Sequence, residues 1–528
     1  MTQYTPKFQE EYSAKLPALT LLTNLGWQFL SPELALAARG SKTDEVVLRQ
    51  VLRSELQKRT FTFAGKSYPL SEKAVDNLIA EVCSPALNEG LLTANERLYN
   101  HLLYGISVTE FVDGKKASPT VALIDWQNPT NNSFVFTEEF TVTRSGGVES
   151  RRPDIVCFVN GIPLVVIEAK RPDGNAKKGP TIDEGISQSL RNQRHDEIPL
   201  LFAYSQILLS INGNEGRYGT CGTPAKFWAA WREEDISDVE MYAIKNRTLK
   251  DEQLANLFNY RPAKDLDWYQ SLTAAGELAV TGQDQLLISL LSPARLLEMT
   301  RYFTLFDKKA GKIVARYQQV FGIKRLIERI NTRSSTGGRE GGVIWHTTGS
   351  GKSFTMVFLS KALILHESLK QCRIVVVTDR VDLETQLSKT FASGGELAGK
   401  KDKEAAMATS GKRLAEQIGK GTERIIFSLI QKFNTATKMP ECVNNSGDII
   451  VLIDEGHRSQ GGENHIRMKQ ALPNAAFVAF TGTPLLKDDK TTNKFGPIVH
   501  AYTMQRAVED QTVTPLLYEE RIPDLDVN

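Results

Sequence analysis

The feature that most constrains this fold is a repeating pattern in the C-terminal part of the chain. From Gly342 onward, short apolar runs that end on polar residues alternate with helix-like stretches: VIWHTTGSGKSFTM, RIVVVTDR, RIIFSLI, IIVLIDEGH and AAFVAFTGTP. Runs this short and this continuously apolar suit strands buried on both faces, and helices between them make the strands parallel. The pattern predicts a parallel α/β sheet.

The first loop of that sheet, His346 to Ser353, follows an apolar strand and precedes a helix, which is the setting of a phosphate-binding loop. Thr348, Gly349, Ser350 and Gly351 would close backbone N–H groups around phosphate oxygens, and the helix N-terminus adds its positive dipole end. Lys352 would reach the β- and γ-phosphates, and the Ser353 hydroxyl would hold Mg²⁺. The strict pattern has glycine at its first position, where this chain has His346. Further along, VLIDEGH ends a strand with Asp454, expected to bind the same Mg²⁺, and Glu455, expected to orient the attacking water. Taken alone, the glycine loop has an ordinary turn as its alternative and the acidic pair a strand end facing solvent; together they predict an ATP site.

A second stretch, Pro153 to Lys170 (PDIVCFVNGIPLVVIEAK), reads as a β-hairpin around an Asn-Gly turn. Asp154 opens one strand, while Glu168 and Lys170 close the other. Nuclease chemistry needs carboxylates to hold Mg²⁺ and a lysine to stabilise charge on the phosphate. These types in this order resemble the PD-(D/E)xK nuclease motif. Register decides whether they meet. A two-residue Asn160-Gly161 loop alone sets Asp154 opposite Ile167 and turns Glu168 to the other face. One additional residue, in a three-residue loop or an equivalent bulge, sets Asp154 opposite Glu168 with Cβ atoms about 5 Å apart and Lys170 on their face. The extra residue is therefore expected.

Composition limits the rest. With 64 basic and 62 acidic side chains the net charge is +2, so a nucleic-acid partner must rest on local features rather than on the total. Five scattered cysteines without a C-x-x-C pair argue against a disulfide framework or zinc knuckle and fit a reducing cytosol. No apolar signal core or membrane-length apolar run is present, so a soluble cytoplasmic protein without a membrane partner is expected. Residues 1 to 110 read mostly helical, strands begin near Ser133, and GISQSLRNQ reads as a helix. The 240–300 section is charged and helical, and KKAGKIVARYQQVFGIKRLIERINTR reads as a basic helical approach to the sheet.

The wording of the C-terminal motifs resembles superfamily 2 helicases and translocases. DEGH, with His457, looks like the DEAD/DEAH signature. Thr481-Gly482-Thr483 looks like the motif that couples hydrolysis to movement, and Thr378-Asp379-Arg380 like a strand-end loop that touches the tracked DNA. Arg316-Tyr317-Gln318-Gln319 looks like the adenine-reading motif, with Gln319 for the base, though an ordinary amphipathic helix is the alternative. Preceded by TEEFTVTRSGGVESRRPDIVCFVNGIPLVVIEAKRP, these motifs resemble the restriction (HsdR) subunit of type I restriction-modification enzymes over nearly the whole chain.

That resemblance implies a PD-(D/E)xK nuclease-like mixed sheet domain followed by a RecA-like parallel α/β motor domain. The expected boundaries are 1–260 for a helical region plus nuclease, 261–300 for a helical connector and 301–528 for the first motor domain. It also implies Mg²⁺ and ATP as cofactors, double-stranded DNA as substrate, and methyltransferase and specificity subunits as partners. The few residues after Pro484 are too few for a second RecA-like domain, so the sequence reads as an N-terminal portion. The family's Q-x-x-x-Y helix motif is matched only by Gln188 and Asn192, with the tyrosine absent; Gln188 is expected at the nuclease site or the DNA backbone. Two other readings stay open: a non-cleaving DNA-binding or docking module with an incomplete ATPase, and another superfamily 2 nuclease-helicase.

Overall fold

The computed structural model describes residues 9–172, 181–307, 309–335, 337–378, 406–454, 462–483 and 495–514. The chain divides into two units, 1–317 and 318–528. The helices expected as a 261–300 connector cluster with the first unit.

The first unit is built on a six-stranded mixed sheet. Its strands are β1 (Gln28–Phe29), β2 (Phe134–Glu138), β3 (Ile155–Val159), β4 (Ile162–Ala169), β5 (Ile207–Ile211) and β6 (Gly216–Gly219), in spatial order β1-β2-β3-β4-β5-β6. The β1–β2 and β4–β5 pairs are parallel and the others antiparallel. Every residue of β3, β4 and β5 is buried, as their unbroken apolar runs require. Helix α1 (Leu16–Asn24) follows a π-helical turn at Glu11–Lys15. Helix α2 (Thr181–Asn192) packs on β4 and β5, and α3 (Ala263–Ala274) follows later in the chain.

The β3–β4 hairpin settles the register by a route other than a three-residue loop. Its turn has two residues, Asn160 (φ +51°) and Gly161 (φ +82°), the left-handed pair that a tight hairpin turn favours. A Cβ on Gly161 would lie 2.6 Å from the Leu48 carbonyl oxygen, so close packing also requires glycine. Asn160 is fixed by accepting from Ser133 N (2.7 Å) and donating to Leu123 O (2.9 Å). Next to the turn Phe158 pairs with Pro163, but Cys157 pairs with Val165, leaving Leu164 as a bulge. Pro163 has no N–H to give the ladder, and proline in sheets favours bulges. The Leu164 carbonyl instead accepts from Gln206 N at 2.7 Å. The bulge supplies the extra residue, and Ile155 pairs with Ile167.

The second unit holds a six-stranded sheet of β7 (Gly342–His346), β8 (Arg373–Thr378), β9 (Ile425–Leu429), β10 (Ile449–Asp454), β11 (Ala476–Thr481) and β12 (Ile498–Tyr502). The order is β9-β8-β10-β11-β7-β12, and every pairing is parallel. Five strands are those read from the sequence. The sixth, β12, escaped notice because IVHAY is a short run broken by His500 at an edge position, not an unbroken apolar run. Helices α4 (Tyr317–Asn331), α5 (Lys352–Leu365) and α6 (Met504–Glu509) flank the strands used below. The basic approach to the sheet is only half helical: Thr304–Asp307 and Gly311–Val314 form a hairpin before α4 begins, turned at Gly311 with φ +74°.

All five cysteines are free. No helix among the described residues is long and apolar enough to cross a membrane.

Candidate active sites on the two units

In the first unit the bulged register, carried one residue past the Ile155–Ile167 pair, sets Asp154 opposite Glu168. Asp154 Oδ2 accepts from the Ala169 amide at 2.8 Å and lies 3.6 Å from Lys170 Nζ. Lys170 Nζ also donates to the Ala169 carbonyl at 2.8 Å. The structure thus brings Asp154, Glu168 and Lys170 together at one end of the hairpin.

Glu168 is fully buried. Burial, and then the negative charge of Asp154, hold its carboxyl well above the usual carboxylate range, while Lys170 pulls it down. Helix α2 supplies its other partners from one face, one turn apart: Gln188 Nε2 donates to Oε2 at 2.7 Å, and Asn192 Nδ2 reaches Oε1 at 3.5 Å. Gln188 therefore sits on the acid pair. Asn192, where the Q-x-x-x-Y pattern has tyrosine, turns to the same carboxylate.

Sequence reasoning missed one acid here. Burial raises the Glu10 carboxyl; Lys170 opposes that rise and Asp154 adds to it, so Glu10 shares the electrostatics of the hairpin acids. A buried ion network fastens the turn that follows it. Lys15 bridges Glu11 (2.7 Å), Glu138 (3.4 Å) and Glu139 (2.8 Å). Arg261 meets Glu11 (2.6 Å), Glu138 and Asp265, and the Tyr12 hydroxyl donates to Asp265 Oδ1 at 2.9 Å. Glu139 N in turn donates to the Asp154 carbonyl at 3.0 Å. Nothing in FQEEYSAK separates Glu10 from a solvated helix start, because its partners are remote in sequence.

Among the described residues no three His, Cys, Asp or Glu side chains form a ready metal cage. The donors at the hairpin are nevertheless hard oxygens, and among the described residues the buried pair is met by Lys170, the Ala169 amide and the side-chain amides of Gln188 and Asn192. That chemistry fits Mg²⁺, which is commonly held by one or two carboxylates and keeps several waters.

In the second unit the polar residues gather at the C-terminal ends of parallel strands, where open α/β sheets bind ligands. The loop after β7 turns through Gly349 (φ +86°) and Gly351 (φ +89°), and Lys352 and Ser353 begin α5 directly after it. Ser350 Oγ donates to the Thr347 carbonyl at 2.6 Å. Thr378, ending β8, donates to Asp454 Oδ2, ending β10, at 3.5 Å. Beyond β11, a Cβ on Gly482 would lie 2.8 Å from Thr348 Oγ1 and 3.1 Å from Lys352 Nζ, so this segment touches the phosphate loop. Thr483 N donates to Thr481 Oγ1 at 3.2 Å.

Gln319 Nε2 donates to the Gly351 carbonyl (3.2 Å) and Thr355 Oγ1 (3.3 Å), bracing the turn into α5. Its neighbour Gln318 is buried, with neither amide atom partnered among the described residues. Asp379, Arg380, Glu455 and His457 lie outside the described residues.

Comparison with known proteins is consistent with this division. Residues 7–227 match the family described as type I restriction enzyme R protein N terminus, and residues 318–528 match the SWI2/SNF2 ATPase family. The HindI endonuclease subunit of a type I restriction enzyme from Haemophilus influenzae is 32% identical over 95% of this chain and 45% of its own length. A relative from Methanocaldococcus jannaschii, named for the same enzyme class, is 30% identical over 99% of this chain and 47% of its own. The chain thus spans less than half the length of these relatives. Among solved structures, the UvsW helicase of bacteriophage T4 aligns over 38% of this chain and 64% of that one, at 16% identity and a TM-score of 0.27, too low to bear on the fold. By the match of residues 7–227 and by its relatives, the chain is a homologue of type I restriction enzyme endonuclease subunits, related over nearly its whole length.

Proposed function

We propose that this chain combines two activities of a type I restriction system: divalent-metal-dependent cleavage of double-stranded DNA by residues 1–317, and ATP binding for DNA translocation by residues 318–528. The observation that carries the nuclease reading is the Leu164 bulge, which sets Asp154 opposite Glu168 with Lys170 beside them. A docking surface has no need of a buried acid pair. Asp154 and Glu168 would hold the cation, expected to be Mg²⁺, with Gln188 and Asn192 orienting Glu168 and Lys170 countering negative charge on the phosphate. When bound, the cation acidifies a water and neutralises charge at the scissile phosphate. Glu10 adds negative potential at the acid pair.

In the second unit Thr348 to Gly351 cradle phosphates through backbone N–H groups, Lys352 contacts them directly, and Ser353 and Asp454 hold the nucleotide's Mg²⁺. Glu455 orients the attacking water. Thr378, Asp379, Arg380, His457, Thr481, Gly482 and Thr483 link the nucleotide to DNA. Methyltransferase and specificity subunits are the partners this reading requires, to supply recognition of the DNA target.

The test uses the full chain. Mn²⁺ binding is followed by electron paramagnetic resonance, and nicking of supercoiled plasmid is assayed with Mg²⁺. Wild type is expected to bind Mn²⁺ at the hairpin, Asp154→Asn/Glu168→Gln to lose that binding, and Lys170→Ala to keep it while losing the nicking that wild type shows. Unchanged Mn²⁺ binding in the double variant would sink the nuclease reading.

A further inference from the structure

The one departure of HTTGSGKS from the strict phosphate-loop pattern is its first residue, and the fold has put that side chain to use. His346 is completely buried at the end of β7. Its Nε2 lies 2.9 Å from Nδ1 of His500 on β12, with the ring planes at 74°. Among the described residues His346 Nδ1 has no hydrogen-bond partner. One proton must sit between the two rings. With that proton on His346 Nε2, His346 Nδ1 is a bare buried acceptor; with it on His500 Nδ1, His346 Nδ1 carries an orphaned buried N–H. Orphaned donors are the rarer fault in folded proteins, so the favoured arrangement has His346 donating and His500 accepting. Burial, then His500 and Lys352, push the His346 imidazole well below its usual range, which keeps it neutral.

Independent contacts tie the same segment to the same loop. The Thr347 amide donates to the Tyr502 carbonyl at 2.9 Å, and Thr347 Oγ1 lies 3.9 Å from Met504 Sδ. A Cβ on Gly349 would meet Val513 Cγ2 at 3.7 Å. The Tyr502 hydroxyl closes the segment on itself through Asp510 (2.9 Å) and Thr512 (3.1 Å). From the opposite side α4 packs over the pair, for a Cβ on Gly322 would lie 3.5 Å from His500 Cβ. That is the helix whose Gln319 braces Gly351.

We propose that His346 is a positioning residue of the nucleotide site: hydrogen-bonded to His500, it fixes the start of the phosphate loop to the 498–514 segment. Glycine at this position would remove the ring-to-ring hydrogen bond and leave the contacts of Thr347 and the packing of Gly349 on Val513. The pair also gives the β12–α6 segment, which carries none of the phosphate-binding residues, a mechanical hold on the loop that closes around the nucleotide. The inference rests on the ATP-binding reading above.

The test measures the affinity of the full chain for a fluorescent N-methylanthraniloyl-ATP with Mg²⁺, together with thermal melting. His500→Ala is expected to weaken binding about tenfold, the loss of one buried hydrogen bond and its site. His500→Asn, whose Oδ1 restores an acceptor, should recover to within about threefold. His346→Gly/His500→Ala should be no weaker than the worse single variant, because paired groups are not additive. Wild-type affinity in His500→Ala, or no recovery in His500→Asn with its melting intact, overturns the proposal. Should His500→Ala unfold the second unit, the comparison of His500→Asn with His500→Leu decides instead: equal affinities overturn the proposal. Lys352→Ala separates the two levels. If wild type binds and Lys352→Ala does not while His500→Ala matches wild type, only the histidine proposal fails. If wild type itself does not bind, the ATP reading fails and takes the proposal with it.

Discussion

The two units place polar chemistry on apolar sheets in opposite ways. In the first, Asp154, Glu168 and Lys170 come from adjacent strands of one hairpin, so side-chain register alone decides whether they meet. In the second, the phosphate loop, Thr378, Asp454 and Thr481 come from the ends of four parallel strands. There the sheet brings the loops together, and two glycines in left-handed conformations shape the loop that matters most. One site is built from alternation and is fragile to a single residue. The other is built from backbone and is fragile to a single Cβ.

The sharpest way to break the comparison is to shift the register beyond the bulge. Inserting one alanine between Val165 and Val166, with the bulge kept, sets Asp154 opposite Ile167 and turns Glu168 away. Metal-dependent nicking is expected to fall by about 100-fold or more, as displacement of reacting groups does, while nucleotide affinity stays at the wild-type value. The same plasmid and nucleotide assays measure both, and a variant that still nicks at the wild-type rate would show that register is not what makes the site.

The converse experiment is Gly351→Ala. Its φ of +89° costs a residue with a Cβ about 1–2 kcal/mol, so nucleotide affinity should fall about tenfold. Nicking in the absence of nucleotide should not change. An effect of similar size on both activities would mean that the units do not keep their chemistry separate.

A smaller effect sharpens the contrast through burial. Lys312, on the hairpin before α4, donates to the Ser205 carbonyl (3.0 Å) and Gln206 Oε1 (2.7 Å) and lies 5.5 Å from the Phe306 ring. Burial lowers its ammonium from 10.5 to about 7, with Cys221 opposing weakly. Above pH 7 the folded chain has released this proton while the unfolded chain keeps it to about 10.5. The unfolded state then binds more protons, and stability rises with pH. Between pH 7 and 9 the slope contributed is at most about 1.4 kcal/mol per pH unit. Chemical denaturation of wild type and Lys312→Met across that window should show the slope only in wild type; parallel curves would show that Lys312 stays charged.

Much of this molecule was legible beforehand because local patterns carry local physics. Unbroken apolar runs announce strands buried on both faces, and five of the six strands of the parallel sheet were readable on that ground. The hairpin was readable from Asn160-Gly161, a pair that tolerates the two positive φ angles its turn needs. GISQSLRNQ was readable as a helix, and Gln188 as a residue near the acids. The edge strand Ile498–Tyr502 was not, since five residues broken by a histidine look like any exposed segment, and with it went any sign of the His346–His500 pair.

What the sequence determined by itself was the inventory: an acid, then an acid and a lysine on either side of a turn, and a glycine-rich loop between a buried strand and a helix. It also set the requirement that one extra residue lie between the acids. Only the tertiary structure decided where that residue went. Pro163 has no N–H for the ladder and the Gln206 amide takes the Leu164 carbonyl, so the extra residue became a bulge and the turn stayed at two. The same holds for Glu10, Asn192 and His500. Each reaches its site through contacts between segments far apart in the chain, and no local pattern records which distant side chain will fill the space beside a buried charge.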